Sequence, residues 1–177
     1  MANEKPADLD MLVIPSSDRS WAVLHSRPRC EKKVQEFCRA NDVPAYLPLQ
    51  RKTHQYGGRK REFWSPLFPG YVFCICDQPQ RTLLRQNRYI ANYLDVVDQA
   101  GLVAQLRNIA VALGAGNVLE VMPYLREGNR VAVKDGPFKG FEGIVLRVKG
   151  QTRIVLNVDM IMQSVAVEVD SSILSPL

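Results

Sequence analysis

The first half of the chain changes its hydrophobic period several times, and each change marks an element. Residues 20–25 (SWAVLH) are a short apolar run that predicts a strand. Ser26 follows as a candidate N-cap. Cys30, Val34, Phe37 and Cys38 then recur at helical spacing, with Lys32, Lys33, Glu36 and Arg39 on other faces, so an amphipathic helix ending near Asn41 is expected. Residues 43–49 form a second extended stretch, and Pro44 and Pro48 put it near a sheet edge. Gly57-Gly58 between two extended arms suggests a hairpin tip. Residues 71–76 (YVFCIC) are continuously apolar, as in a central strand. Asp77 and Pro79 open a short helix carrying Leu83 and Leu84, residues 93–97 make another strand, and Leu102, Leu106, Ile109 and Leu113 mark a last helix stopped by Gly114 and Gly116. The first six elements read βαββαβ, a ferredoxin-like order with an antiparallel sheet.

Beyond this the texture changes. Residues 129–134 alternate apolar and polar positions, Asp135-Gly136-Pro137 is a turn signal, and residues 141–149, 153–158 and 165–169 are rich in β-branched side chains. Short strands at this spacing predict a small barrel, whose closure would remove exposed edges from a thin core. The fold class is therefore α+β in two domains. The expected division is a loose N-terminal tail over 1–19, an αβ sandwich over 20–114, a linker over 115–126 and a β domain over 127–177.

Composition narrows the function classes. The 177 residues are 46% apolar and 23% charged, as in a globular protein, and no apolar run is long enough to span a bilayer. The first twenty residues lack the apolar core of a signal peptide, so a cytoplasmic protein is expected. A net charge of +5 permits contact with nucleic acid, and its distribution matters more than its total. Arg27, Arg29, Lys32 and Lys33 form one cluster; Arg51, Lys52, Arg59, Lys60 and Arg61 form another, with His54 among them. Cys30, Cys38, Cys74 and Cys76 contain no CxxC pair and read as reduced, mostly buried thiols, so no metal or other cofactor is expected.

Two segments carry a family resemblance. Residues 66–73 (PLFPGYVF) look like the FPGY-type signature of the NusG N-terminal domain, called NGN, and Trp21 also matches that domain. Residues 128–143 (GNRVAVKDGPFKGFEG) resemble the KOW motif that opens the family's C-terminal five-stranded SH3-like barrel. KOW motifs also occur in ribosomal proteins, but the two motifs stand in the family's order and at its usual distance. Within the family, residues 65–69 and 46–49 resemble the specialised paralogues of the RfaH type. Those paralogues often lack a glycine at the position of Gly70; at Ile161 they resemble this chain, where general NusG carries an aromatic residue.

The resemblance implies a transcription elongation or antitermination factor, not an enzyme, and a monomer. Its NGN domain would dock on the clamp helices of the largest subunit of RNA polymerase, with Trp21, Leu24, Phe68 and Tyr71 as candidate anchors. His25, Arg27, Arg29, Lys32 and Lys33 would face the non-template DNA strand. The hairpin cations Arg51, Lys52, His54, Arg59, Lys60 and Arg61 would reach the opposing polymerase lobe or DNA. Phe138, Phe141, Ile161 and Met162 would recruit a second partner, such as termination factor Rho or a small-subunit ribosomal protein. Some specialised paralogues hold this domain as a helical hairpin, but the β-branched content of residues 153–169 and the glycines before them predict strands here.

Three other readings stay open from sequence. An RNA-binding module of the RRM type would use Tyr71 and Phe73, which alternate on one strand face, although no full RRM signature is present. A ribosome-associated KOW protein is the second. An enzyme is the third, with no Ser/His/Asp set, phosphate loop or close carboxylate pair to support it.

Overall fold

The computed structural model describes residues 9–16, 18–56, 58–148 and 150–177. They divide into two units, residues 10–101 and residues 102–177 together with Leu9. The boundary falls inside a helix, so each unit is taken by itself.

In the first unit, β1 (Ser20–Ser26), β2 (Ala45–Tyr46), β5 (Tyr71–Cys76) and β6 (Ile90–Asp95) form one sheet in the order β2-β5-β1-β6, with all pairs antiparallel. The helices α1 (Glu31–Ala40) and α2 (Gln78–Arg85) lie between its strands in sequence. Between β2 and β5 the chain makes a separate two-stranded hairpin, β3 (Leu49–Tyr56) and β4 (Arg59–Pro66). A third helix, α3 (Gln99–Gly114), follows β6, and only its first three residues belong to this unit.

Strand pairing explains why the β1 sequence shows no alternation. Ala22 and Leu24 point to one face and pack with Val34 and Cys38 of α1, Leu84 of α2, and Val72, Cys74 and Cys76 of β5. Trp21, Val23 and His25 point to the other face, beside Ile75, Phe73 and Tyr71. Every β1 side chain but those of Ser20 and His25 is buried, so the strand reads as a continuous apolar run.

Local chemistry sets the helix starts. Asp77 caps α2 by accepting from the Gln80 N–H at 2.8 Å, while the Gln80 side chain accepts from the Asp77 N–H at 3.2 Å. Ser26, expected to cap α1, is instead the last residue of β1; the N-cap is Cys30, which supplies no side-chain bond. Leu12 and Val13, read as part of a loose tail, are tied into the fold. Leu12 is fully buried, and the Trp21 indole N–H donates to the Val13 carbonyl at 2.9 Å. Residues 1–8 and 17 of that tail lie outside the described residues.

In the second unit, β7 (Glu120–Pro123), β8 (Arg130–Val133), β9 (Glu142–Val148), β10 (Gln151–Val158), β11 (Gln163–Glu168) and β12 (Leu174–Pro176) form an antiparallel sheet ordered β12-β8-β9-β10-β11-β7. It has six strands where five were expected. The extra one, β7, lies in the stretch read as a linker, where Leu119 is buried and Val121 pairs with Val165. Residues just after it are also tied in. The Asn157 side-chain amide donates to the Leu125 carbonyl at 2.9 Å, and the Leu125 N–H donates to Ser164 Oγ at 3.2 Å. Residues 153–169 fall largely in β10 and β11, as their β-branched content predicts.

Among the described residues, no helix is long and apolar enough to cross a membrane, and no group of His, Cys, Asp and Glu could hold a metal ion. The four cysteines are free thiols; Cys38, Cys74 and Cys76 are buried and Cys30 is partly exposed. Burial pushes the Cys38 thiol up to about 12. A hydrogen bond between Cys74 and Cys76 raises the first and lowers the second to about 7, helped by the Tyr93 hydroxyl 3.2 Å from Cys76 Sγ.

Candidate functional site

The signature turn between β4 and β5 is held from two sides. Gly70 has φ +89°, a left-handed conformation that favours glycine. Its N–H donates to Glu31 Oε1 at 2.7 Å, and its carbonyl accepts from the Ser26 N–H at 2.8 Å. A Cβ at Gly70 would sit 3.5 Å from the His25 ring. That ring stacks on Tyr71, with centroids 5.1 Å apart and planes at 22°. The turn therefore closes over the end of β1 and presents an exposed His25 and a half-buried Tyr71 side by side.

Glu31 was not singled out from sequence. Its carboxylate is buried, 8% exposed, and it links the first turn of α1 to the signature turn. Removing the acceptor leaves the Gly70 N–H short of a partner, a loss of about 1–3 kcal/mol. Glu31→Ala is therefore expected to speed hydrogen exchange at the Gly70 amide, whereas Glu31→Gln, which keeps a carbonyl acceptor, stays close to the parent. Equal exchange in all three proteins would remove Glu31 from this role.

The cationic cluster gathers around an aromatic ring that sequence reasoning missed. The Arg27 N–H donates to the Tyr89 carbonyl at 2.8 Å, and Arg27 Nε donates to the Arg88 carbonyl at 2.9 Å. Lys33 Nζ lies 5.2 Å and the Arg88 guanidinium 4.8 Å from the Tyr89 ring centroid. Arg88 also donates to the Tyr89 hydroxyl at 2.7 Å. Arg29 is exposed with φ 61° just before the Cys30 N-cap, and Lys32 is exposed on the first turn of α1. The edge thus gains Arg88 and Tyr89. They come from a segment 61 residues away in sequence, brought in by the pairing of Ser26 with Ile90.

Several expected anchors lie inside the protein. Trp21, Leu24 and Phe68 are at most 1% exposed, and Phe68 meets Phe73 edge-on at 6.4 Å. Trp21 and Leu24 also point to opposite sheet faces, so they do not share one patch. Phe73 is fully buried too, which leaves Tyr71 without the second exposed aromatic that an RRM-type platform needs. In the second unit, Phe138, Phe141 and Ile161 are buried, the two rings 5.5 Å apart. Met162 alone of that set is exposed, at 50%, in a left-handed conformation at the tip between β10 and β11.

Cross-strand pairing sorts the hairpin cations onto two faces. Arg51 opposite Trp64, and Gln55 opposite Lys60, lie on one face with Thr53 and Glu62. Lys52 opposite Phe63, and His54 opposite Arg61, lie on the other. Arg51 forms an ion pair with Glu62. The side chain of Arg59 lies outside the described residues. Phe63 and Trp64 are both nearly half exposed, one on each face.

Residues 19–121, more than half of the chain, match the family model described as transcription termination factor nusG. The chain is similar to the transcription termination/antitermination protein NusG of Lactococcus lactis subsp. lactis (strain IL1403), 24% identical over 172 residues, covering 88% of this chain and 91% of that one. It is equally similar to the protein of that name from Borreliella burgdorferi (strain ATCC 35210 / DSM 4680 / CIP 102532 / B31), 24% identical over 180 residues, covering 86% and 95%. A solved structure, the crystal structure of the MjSpt4:Spt5 complex in conformation B, aligns over 89% of this chain and 96% of that one, with 12% identity and a TM-score of 0.25. The family assignment rests on the sequence matches: this chain belongs to the NusG family, whose members are non-enzymatic factors of transcription termination and antitermination.

Proposed function

We propose that this protein is a cytoplasmic, monomeric elongation and antitermination factor that binds RNA polymerase through an NGN domain of ferredoxin-like fold and recruits a second partner through a KOW barrel. The observation that supports this best is the juxtaposition at one end of the first sheet. The His25–Tyr71 stack on the signature turn adjoins β1, and the Arg27, Lys33, Arg88 and Tyr89 edge begins where that strand ends. An aromatic pair beside a cationic rim suits a protein helix on one side and a phosphate backbone on the other.

In this reading Tyr71 and His25 meet the clamp helices of the largest subunit, while Trp21 and Phe73, buried further along the same sheet face, and Phe68 against Phe73 hold it rigid. Arg27, Arg29, Lys32, Lys33 and Arg88 contact the non-template strand, with Tyr89 available to a base once its cations turn to phosphates. The hairpin extends the contact across the cleft. In the second unit, Met162 at its exposed tip, backed by buried Ile161, receives Rho or a small-subunit ribosomal protein, and Phe138 and Phe141 support the barrel wall. Two binding modules on one chain raise the local concentration of the second partner at the polymerase.

Replacing Arg27, Arg29 and Lys33 by Gln is expected to weaken binding only to polymerase complexes that contain a transcription bubble. Each lost phosphate contact should flatten the logarithmic salt dependence by about 0.7. An unchanged salt slope on a bubble-containing complex would remove the DNA role from this edge.

A further inference from the structure

The hairpin β3–β4 carries two exposed aromatic side chains with opposite surroundings. Phe63 is 48% exposed and Trp64 46%. Trp64 shares its face with Arg51, Thr53, Gln55, Lys60 and Glu62, where the one carboxylate already neutralises Arg51. Phe63 shares its face with Lys52 directly opposite, and with Arg61 two residues away on the same strand opposite His54. Among the described side chains of that exposed face there is no carboxylate. One ring is therefore flanked by two long cationic side chains, at strand spacings of about 5 and about 7 Å.

We propose that this Phe63 face, and not the Trp64 face, is a binding platform for single-stranded DNA, with a base stacked on Phe63 and Lys52 and Arg61 on the adjoining phosphates. The inference deepens the reading of the hairpin given above and rests on it. Charge complementarity favours a phosphate backbone over a protein groove. A protein hot spot needs apolar neighbours that exclude water, and the neighbours here are charged and solvated. A single strand supplies both an exposed π-face and anionic groups on either side of it. Gln50 and Ser65 share this face as well, so the choice of DNA over RNA follows the reading of the hairpin given above and is checked by the oligouridylate arm of the test.

The test is fluorescence anisotropy of the full chain with a fluorescein-labelled oligothymidylate of about 12 nucleotides, a length within the usual single-strand footprint. Phe63→Ala is expected to weaken binding about tenfold, within the range that loss of one stacked base produces. Phe63→Tyr should bind like the parent, and Trp64→Ala should change affinity less than twofold. Lys52→Gln and Arg61→Gln should each flatten the logarithmic salt dependence by about 0.7. Binding unchanged by Phe63→Ala, or lost equally with Trp64→Ala, overturns the proposal. So does failure of Phe63→Tyr to retain binding, or tighter binding of an oligouridylate of equal length. Loss of affinity for core polymerase by Phe63→Ala with DNA binding intact would overturn it in favour of a protein contact. An Arg27→Gln/Lys33→Gln chain reads the other edge, so failure of that assignment is seen separately from failure of this one.

Discussion

Trp21→Ala is expected to destabilise the unit formed by residues 10–101 by about 3–5 kcal/mol. The indole is 1% exposed on the sheet face it shares with Val23, Phe73 and Ile75, and its N–H is committed to the Val13 carbonyl. Truncation removes a large transferred surface, leaves a cavity in a close-packed layer and orphans that carbonyl. The Trp21 backbone is held as well. Its N–H donates to the Gln99 side chain at 2.7 Å and its carbonyl accepts from the same amide at 3.1 Å, so the strand end cannot collapse freely into the void. His25→Ala, four residues along the same face but exposed, should cost under about 0.5 kcal/mol. Urea unfolding followed by circular dichroism compares the two. A Trp21→Ala protein within about 1 kcal/mol of the parent would contradict the burial and return the indole to the list of surface anchors.

Gly143→Ala is expected to destabilise the second unit by about 3 kcal/mol, at the upper end of ordinary overpacking. Gly143 lies in β9 opposite Val131. A Cβ there would stand 2.5 Å from the Val155 carbonyl oxygen and 2.6 Å from Ile154 Cγ1. The carbonyl belongs to β10, the neighbouring strand of the sheet, and Ile154 is fully buried, so neither can retreat without disturbing the ladder. The effect is steric rather than torsional. Hydrogen exchange of the β9 and β10 amides in the full chain measures it, since their protection follows the local opening free energy. Parent-like protection in Gly143→Ala would mean that the two strands have room to separate.

Much of this architecture was legible in the residues. The central strands announced themselves as uninterrupted apolar runs, Asp77 opened α2 where expected, and β3 and β4 pair on either side of the expected glycine tip, of which Gly57 lies outside the described residues. Contacts that depend on register were harder to read. Whether Trp21 faces solvent or core cannot be told from a run that is apolar on both strand faces, and Phe68 sits in a turn with no period to read. Arg88 and Tyr89 join Arg27 only because β6 pairs with the end of β1. Glu31 stands alone among basic neighbours in the sequence, with nothing there to show that its carboxylate accepts from the Gly70 N–H. The β7 strand is four residues long with a mostly exposed pattern, too short to show a period.

The most direct test is a titration of core RNA polymerase with the full chain, read by a label placed away from residues 20–95. Saturable binding is expected, and Tyr71→Ala should lose about 2 kcal/mol of it, about thirtyfold, while its unfolding transition stays near that of the parent. A correctly folded chain that shows no saturable binding to core polymerase would contradict the account.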